Sequence, residues 1–417
     1  MRKDSVLRLE QHGIQRIPEN WTQSRVKYLG AYINGYPFKP DDWGSVGRPI
    51  LRIQDLSSPN QEPNRYDGDI PSRYLVRSRD ILISWSASLG VYRWAGEEAW
   101  LNQHIFKVAL DAKRVRDDFF LWLAEWFINE MDREAHGSTM QHLTADAFGG
   151  FPVLLPPHDE QSRIAEYLDC ETARLDALVA AKERVLGLLA EKRRALITRA
   201  VTRGPDPRAP LRDSGIPWLG EIPAHWRLER AKFVFRQSAL PVRDEDEMVT
   251  CFRDGQVTLR RNRREEGFTN ANLELGYQGI RSGQLVLHSM DAFAGAVGVS
   301  DSDGKCSPEY IICDPQIAQV DNNYYGHLLR TMALAGFIQA SCPAVRERAP
   351  RIRFSDFGEM FIPVPPLGEQ RSIVERIGID LSRLDALGTA NERTIALLKE
   401  RRAALIAAAV TGQLEVA

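Results

Sequence analysis

The chain is short of several things, and each shortage excludes something. Its 417 residues hold five cysteines, Cys170, Cys251, Cys306, Cys313 and Cys342. An odd number without CxxC spacing argues against a disulfide framework or a zinc site and fits a reducing compartment. No segment reaches about 18 uninterrupted apolar residues, and the opening MRKDSVLRLEQ lacks the apolar run of a secretory signal. The expectation is a cytoplasmic protein with no membrane partner. Net charge is only −2, so any site for a polyanion must be a local patch.

Catalytic motifs are missing too. There is no Asp/Asn-Pro-Pro-Tyr/Phe motif for amino-methylation and no Gly-rich cofactor loop after an early strand. The eight histidines form no HExxH or Cys/His cluster. GVSDSDGKCS (Gly298–Ser307) has the look of a phosphate loop, but its glycine spacing is one too long. Cys306 also stands where a magnesium-binding hydroxyl is needed. RDEDEM (Arg243–Met248) reads as a solvated charge run. The chain is expected to carry no catalytic residue, metal or cofactor of its own.

What it does have is a duplication. IPENW (Ile17–Trp21) returns as IPAHW (Ile222–Trp226), and PPHDEQ (Pro156–Gln161) returns as PPLGEQ (Pro365–Gln370). From there the match runs without a gap to AVT, Ala200–Thr202 against Ala409–Thr411. Between the markers lie two blocks of nearly equal length and little shared sequence. A period of about two hundred residues is a tandem domain duplication, not a solenoid. The division is 1–155, a first globular head; 156–204, a repeated block; 205–364, a linker and second head; and 365–417, the second repeated block and tail.

Each repeated block predicts a long helix. It opens after Pro-Pro, with acidic residues near the positive end of the helix dipole. Ile164, Leu168, Leu175, Leu178, Leu189 and Leu196 suggest a heptad seam, repeated by Ile373, Ile377, Leu384, Leu387, Leu398 and Leu405. Val185 is interleaved in the first copy. Lys182 and Asn391 share one seam position, Glu171 and Asp380 another. Such polar residues either fix register or lie on a widened edge of the seam. Roughly 45 residues at 1.5 Å each make a rod on the order of 65–70 Å long. A seam needs a partner, and the chain supplies its own second copy. The expected fold is two tandem α/β (α+β) heads, joined by two long helices in an antiparallel coiled coil with an internal pseudo-two-fold.

Both heads read as short strands, a helix, and a polar loop. In the first, YLVRSRDILISWSASLG (Tyr74–Gly90) and NQHIFKVAL (Asn102–Leu110) give strands with polar tips, then DDFFLWLAEWFINEM gives a helix. The second repeats that plan with IRSGQLVLHSM, SPEYIIC and YYGHLLRTMALAGFIQ. Scaffold retained with divergent loop chemistry suits recognition of two different things. Guanidinium clusters hold phosphates and read guanine edges, and amide side chains do the same for adenine. Candidate DNA-binding residues in the first head are Arg77, Arg79, Ser84, Ser86, Gln103, His136, Ser138, Thr139, Gln141 and His142. In the second they are Arg260, Arg261, Arg263, Arg264, Met290, Lys305, Arg346, Arg348, Arg351 and Arg353. Taken singly, each has an ordinary reading as solvated surface. The arginine-dense RDGQVTLRRNRREEG, read as a loop, and the loop at 346–353 are the stronger signals.

With the repeat, DSGIPWLGEIPAHW (Asp213–Trp226), GSTMQHLT (Gly137–Thr144) and PPxxEQ…RLDAL in view, the chain resembles the specificity subunit of type I restriction–modification enzymes. The resemblance spans nearly the whole chain, except that QHGIQRIPENW replaces the full lead-in of the second copy. It implies two target-recognition domains, each reading half of an asymmetric bipartite site on double-stranded DNA. It also implies helices that set the spacing and dock two methyltransferase subunits, which carry S-adenosylmethionine. A restriction translocase–nuclease subunit, with ATP and magnesium, would join for cleavage in antiviral defence. Catalysis by the chain itself is not expected. A self-contained methylating or cleaving enzyme and a protein-binding coiled-coil scaffold are the alternatives.

Overall fold

The computed structural model describes residues 14, 16–57, 62–86, 88–135, 145–263, 275–341 and 351–416. The chain divides into two compact units, Met1–Glu183 with Glu392–Ala417, and Arg184–Asn391. Each holds one head, and the division falls inside both long helices.

The first head is organised by a four-stranded antiparallel sheet, in the order Gly30–Asn34, Ile105–Leu110, Ile81–Ser84 and Gly90–Arg93. Its inner strand shows why the sequence ILIS forms a strand here. Ile81 and Ile83 join the core under the helix, while Leu82 joins a separate cluster on the opposite face, the period-two alternation of a sheet buried on both sides. Helix α1 (Asp117–Ala135) covers the first face with Phe119, Phe120, Leu123, Ala124 and Phe127, all fully buried at helical spacing. A smaller sheet of Arg65–Tyr66, Arg48–Leu51, Ala99–Leu101 and Leu75–Val76 covers the other; its Arg48–Leu51/Ala99–Leu101 pair is parallel.

The second head repeats the central layer. Phe235–Gln237, Tyr310–Pro315, Leu285–His288 and Val297–Val299 form the same antiparallel order. Leu285 and Leu287 again face the helix and Val286 the opposite cluster. Two hairpin pairs replace the smaller sheet, Val249–Cys251 with Val257–Leu259 and Gln278–Ile280 with Gly304–Cys306. The arginine-dense segment expected as a loop begins in a hairpin, with its turn at 252–256 and second strand Val257–Leu259, and continues as a 3-10 turn over Arg260–Asn262. The expected covering helix is also shorter. The stretch from Asn322 to Ser341 forms the counterpart of α1, here named α3, over Asn322–Leu334, and then a separate turn over Phe337–Ser341, broken at Gly336 with φ +76°. Asp321 caps α3 by accepting from the amides of Asn323 and Tyr324.

The recurring phrases mark the joint between head and helix. The helices α2 (His158–Arg203) and α4 (Leu367–Val410) follow strands Pro152–Leu155 and Phe361–Val364, which pair antiparallel with Thr22–Arg25 and Arg227–Arg230. At the start of α2, the Trp21 indole N–H donates to Glu160 Oε1 at 2.9 Å. Trp226 donates to Glu369 Oε2, also at 2.9 Å. The next residue is a fully buried glutamine. Gln161 Nε2 donates to the carbonyls of Arg114 and Pro156, and its Oε1 accepts from the Arg116 amide. Gln370 does the same with Gln319, Pro365 and Asp321. IPxxW and PPxxEQ thus recur because each pair is one lock.

AVT is the other half of the joint. Ile406, Ala409 and Val410 of α4 lie in the first head's core beside Ile164 and Leu168. Val201 of α2 lies in the second head's core, where its carbonyl accepts from Tyr324 Oη. Within the first unit, Glu183 meets Lys399 at 3.3 Å and Asp176 meets Arg402 at 3.1 Å. Within the second, Arg193 pairs with Asp385. In the first unit partner numbers rise as the others fall, so its two helix segments run antiparallel.

The seam differs from its expected composition. Ile164, Leu168, Leu175, Ile373, Ile377 and Leu384 are buried, and Leu189, Leu196, Leu398 and Leu405 half-buried. Leu178, Val185 and Leu387 are exposed. The interleaved inward positions lie four residues after the seven-spaced set, at Thr172, Val179 and Leu186, and at Leu381, Gly388 and Ile395. Leucine content pointed three residues on. Burial follows which flank of the helix meets its neighbour, and both +3 and +4 flanks adjoin the stripe.

Candidate nucleic-acid interface

In the first head, the Arg93–Asp118 ion pair at 2.7 Å sets the start of α1 against the far end of strand Gly90–Arg93. The helix therefore runs toward the end of the sheet holding 84–90 and 102–104. At that tip, Ser84 and Ser86 are buried, and the Ser84 hydroxyl donates to the Ser88 carbonyl at 2.6 Å. The expected serine contact is thus spent internally at Ser84, which shapes the tip. The Gln103 amide donates to Asn102 Oδ1 and the Tyr36 carbonyl, leaving its side chain half-buried at the turn. Two neighbours lie outside the candidate contacts, one of them, Trp85, readable from the sequence as a structural strand residue. Trp85 stacks on Phe106 with ring centroids 5.7 Å apart, and its indole N–H donates to Asn34 Oδ1. His104 lies 5.3 Å from the Trp85 ring, with φ +87° and a buried Nδ1 that has no hydrogen-bond partner. The signal for them was the Trp and His flanking serines and amides in SWS and NQH.

Arg77 and Arg79 sit at the other end of the same strand. Arg77 pairs with Glu98 at 3.2 Å. Arg79 is exposed at φ +76° in a tight turn. The Arg77 amide donates to Asp80 Oδ2, Asp80 to the Arg77 carbonyl, Arg79 to Trp94, and Trp94 back to Asp80. The second head builds that turn bond for bond with Arg281, Gln284, Gly283 and Ser300. There the left-handed position is Gly283, at φ +87°.

At the second head's tip, Arg351 pairs with Glu309 at 3.0 Å and brings Nη2 within 3.6 Å of Met290 Sδ. Arg253 pairs with Asp291 at 2.9 Å. His288 accepts the Asp291 amide on Nδ1, and its ring lies 4.7 Å from Tyr310. Burial lowers the His288 pKa and Arg253 adds to this, against the pull of Asp291 and Glu309, so the ring is kept neutral. Arg263 pairs with Asp254 at 2.6 Å and covers the Phe252 ring. Burial works against the Asp254 carboxylate, yet the Gln256 amide and Arg263 hold its pKa below the ordinary value. Arg261 turns to Glu247 at 2.6 Å, beside the backbone of Lys305, and Arg260 Nε donates to Thr250 Oγ1. The cations expected on two loops thus divide differently, Arg253 joining Arg351 at the tip while Arg260, Arg261 and Arg263 pair along the hairpin. Arg353 opens the short helix Phe354–Glu359, its amide bonded to Asp356.

His136, Ser138, Thr139, Gln141, His142, Arg264, Arg346 and Arg348 lie outside the described residues. The exposed pairs at the second tip are individually weak, about 0–1 kcal/mol. Such arginines exchange a carboxylate for a phosphate or base edge at little cost. Among the described residues no helix is long and apolar enough to cross a membrane, and no three metal-ligating side chains cluster.

Residues 18–184 match the family described as type I restriction modification DNA specificity domain. The chain is 22% identical to the type I restriction enzyme EcoBI specificity subunit of Escherichia coli, over 97% of this chain and 88% of that one. It is 23% identical to the EcoDI specificity subunit of the same organism, over 80% and 78%. Among solved structures, a chain from a study of complex assembly in a type I R-M system matches with TM-score 0.69 at 16% identity. That match covers 96% of this chain and all of that one. The HsdS subunit of Thermoanaerobacter tengcongensis matches with TM-score 0.52 at 16% identity, over 96% and 99%. Residues 18–184 thus match that family, and over nearly its whole length the chain is similar in sequence and in fold to specificity subunits of type I restriction enzymes.

Proposed function

We propose that this chain supplies the DNA sequence specificity of a cytoplasmic type I restriction–modification complex and performs no chemistry itself. Each head reads one half of an asymmetric bipartite site on double-stranded DNA, and the two long helices set the gap between halves. The observation that carries this reading is one scaffold, built twice down to the hydrogen bonds of its turns, with different chemistry at the two tips. One good bidentate base contact contributes about 1–3 kcal/mol of discrimination. Linking two such readers makes the second encounter intramolecular.

The helices also support docking of two methyltransferase subunits. Leu178 and Leu387 occupy equivalent repeat positions and are 45% and 53% exposed; Leu188 and Leu397, another equivalent pair, are 60% and 59% exposed. Exposed leucines recurring at matching positions of the repeat suit two copies of one partner. S-adenosylmethionine belongs to that partner, and ATP with magnesium to a translocase–nuclease subunit joining the complex.

The test is a methylation map of DNA from cells expressing this chain with its methyltransferase, against cells lacking the chain. Chain-dependent methylation at one motif of two short blocks around a fixed gap is expected. Methylation by the purified chain alone would indicate an enzyme, and DNA binding without steep salt dependence would indicate a protein scaffold.

A further inference from the structure

We infer that His104 is a specificity-determining residue of the first head, its imidazole reading a base edge of that head's half-site. The inference rests on the DNA-recognition reading above and adds the residue that does the discriminating. Two non-glycine residues among those described have positive φ, Arg79 and His104. For a residue with a Cβ this conformation is disfavoured, and it persists only where something else holds it. At Arg79 the matching turn of the second head uses a glycine, so that frame merely tolerates the arginine. His104 is different. The carbonyl of residue 104 accepts from the Trp85 amide as Glu309 accepts from Ser289, which makes 104 and 309 equivalent. Glu309 has no positive φ, and it is satisfied by Arg351. The left-handed backbone at His104 is therefore not demanded by the shared scaffold.

A second cost falls on the same side chain. Its Nδ1 is shut away from solvent without a partner, an arrangement that folded chains generally avoid. That leaves Nε2 as the nitrogen available to a ligand. The ring also rests on a fixed platform, since Trp85 is held by stacking on Phe106 and by its bond to Asn34. Strain, an orphaned polar atom and a rigid aromatic support coincide at the tip toward which α1 runs. A preorganised base-reading group has these features, because its conformation is paid for in advance of binding.

The experiment uses the full chain expressed with its methyltransferase, as wild type, His104→Gly and His104→Asn. Methylation maps and the thermal unfolding midpoint of each purified chain are the readouts. Glycine accepts the left-handed backbone without strain, and asparagine tolerates it while keeping an amide. The expected result is a midpoint unchanged or raised in both variants. The His104→Gly map should lose discrimination at one base pair of one half-site by about tenfold, with the other half-site and the gap unchanged. The asparagine variant should retain more of that discrimination or prefer a different base. An unaltered motif in His104→Gly, or a lowered midpoint in both variants, overturns the inference and leaves DNA recognition standing. A wild-type chain that directs no motif removes the recognition reading, and the inference falls with it.

Discussion

The two heads share a skeleton and differ at its ends. Both place an alternating apolar strand between a covering helix and a second apolar cluster, and both close the same turn with the same four hydrogen bonds. At the first tip the described chemistry is aromatic, with Trp85, Phe106 and His104. At the second it is charged, with Arg253 and Arg351 held by Asp291 and Glu309 around a neutral His288. Packing demands fix the skeleton, because any change there reaches the core. The tips answer only to their ligand and can diverge without unfolding the head.

The largest effect should come from breaking what the heads share. Gln161→Ala strands the groups that glutamine satisfies in the first unit, and Gln370→Ala does so in the second. Each should cost about 3 kcal/mol, and chemical denaturation should show a different unfolding step moving in each variant. Next comes the charged tip. Arg253→Ala with Arg351→Ala should weaken recognition of one half-site by about 2 kcal/mol. It should also flatten the salt dependence of binding, with methylation at the other half unchanged, read by titration and by a methylation map. A reciprocal swap sharpens the turn comparison. Arg79→Gly should stabilise its unit by about 1 kcal/mol and Gly283→Arg destabilise its own by a similar amount. The second is a backbone effect alone, since a Cβ at Gly283 meets nothing within 4 Å.

The smallest expected effect depends on pH. Burial lowers the pKa of both His288 and His327 in the second head. The unfolded chain then binds protons more readily, so the neutral rings' contribution is complete above the ordinary imidazole range and is lost as pH falls through it. Thermal unfolding between about pH 7.5 and about pH 5.5 should show the second unit losing stability. His288→Gln with His327→Gln should flatten that slope, and an unchanged slope would place its origin elsewhere.

Much of the fold was legible because the chain repeats itself. IPxxW, PPxxEQ and AVT could be seen to matter before their contacts were known; Trp226, Glu369, Gln370 and Val201 show that they form one joint in each copy. The seam was legible in period but not in phase. Leu178 and Val185 are as apolar as inward residues, and their exposure depends on a neighbouring helix that a local pattern does not contain. The site was less legible still. Arg351 and Met290 do meet, but Arg261 and Arg263, two residues apart, turn to different carboxylates, and Ser84 spends its hydroxyl on the backbone.

The order of local elements, the duplication and the residues that lock each head to its helix were determined by the sequence itself. Hydrophobic period, turn chemistry and repetition act over short stretches of chain. The tertiary structure alone decided which flank of each helix is buried, which carboxylate each cation meets, and that His104 bears both a left-handed backbone and an unpaired nitrogen. Those properties arise where segments distant in sequence converge, and their energies depend on the neighbours each side chain finally meets.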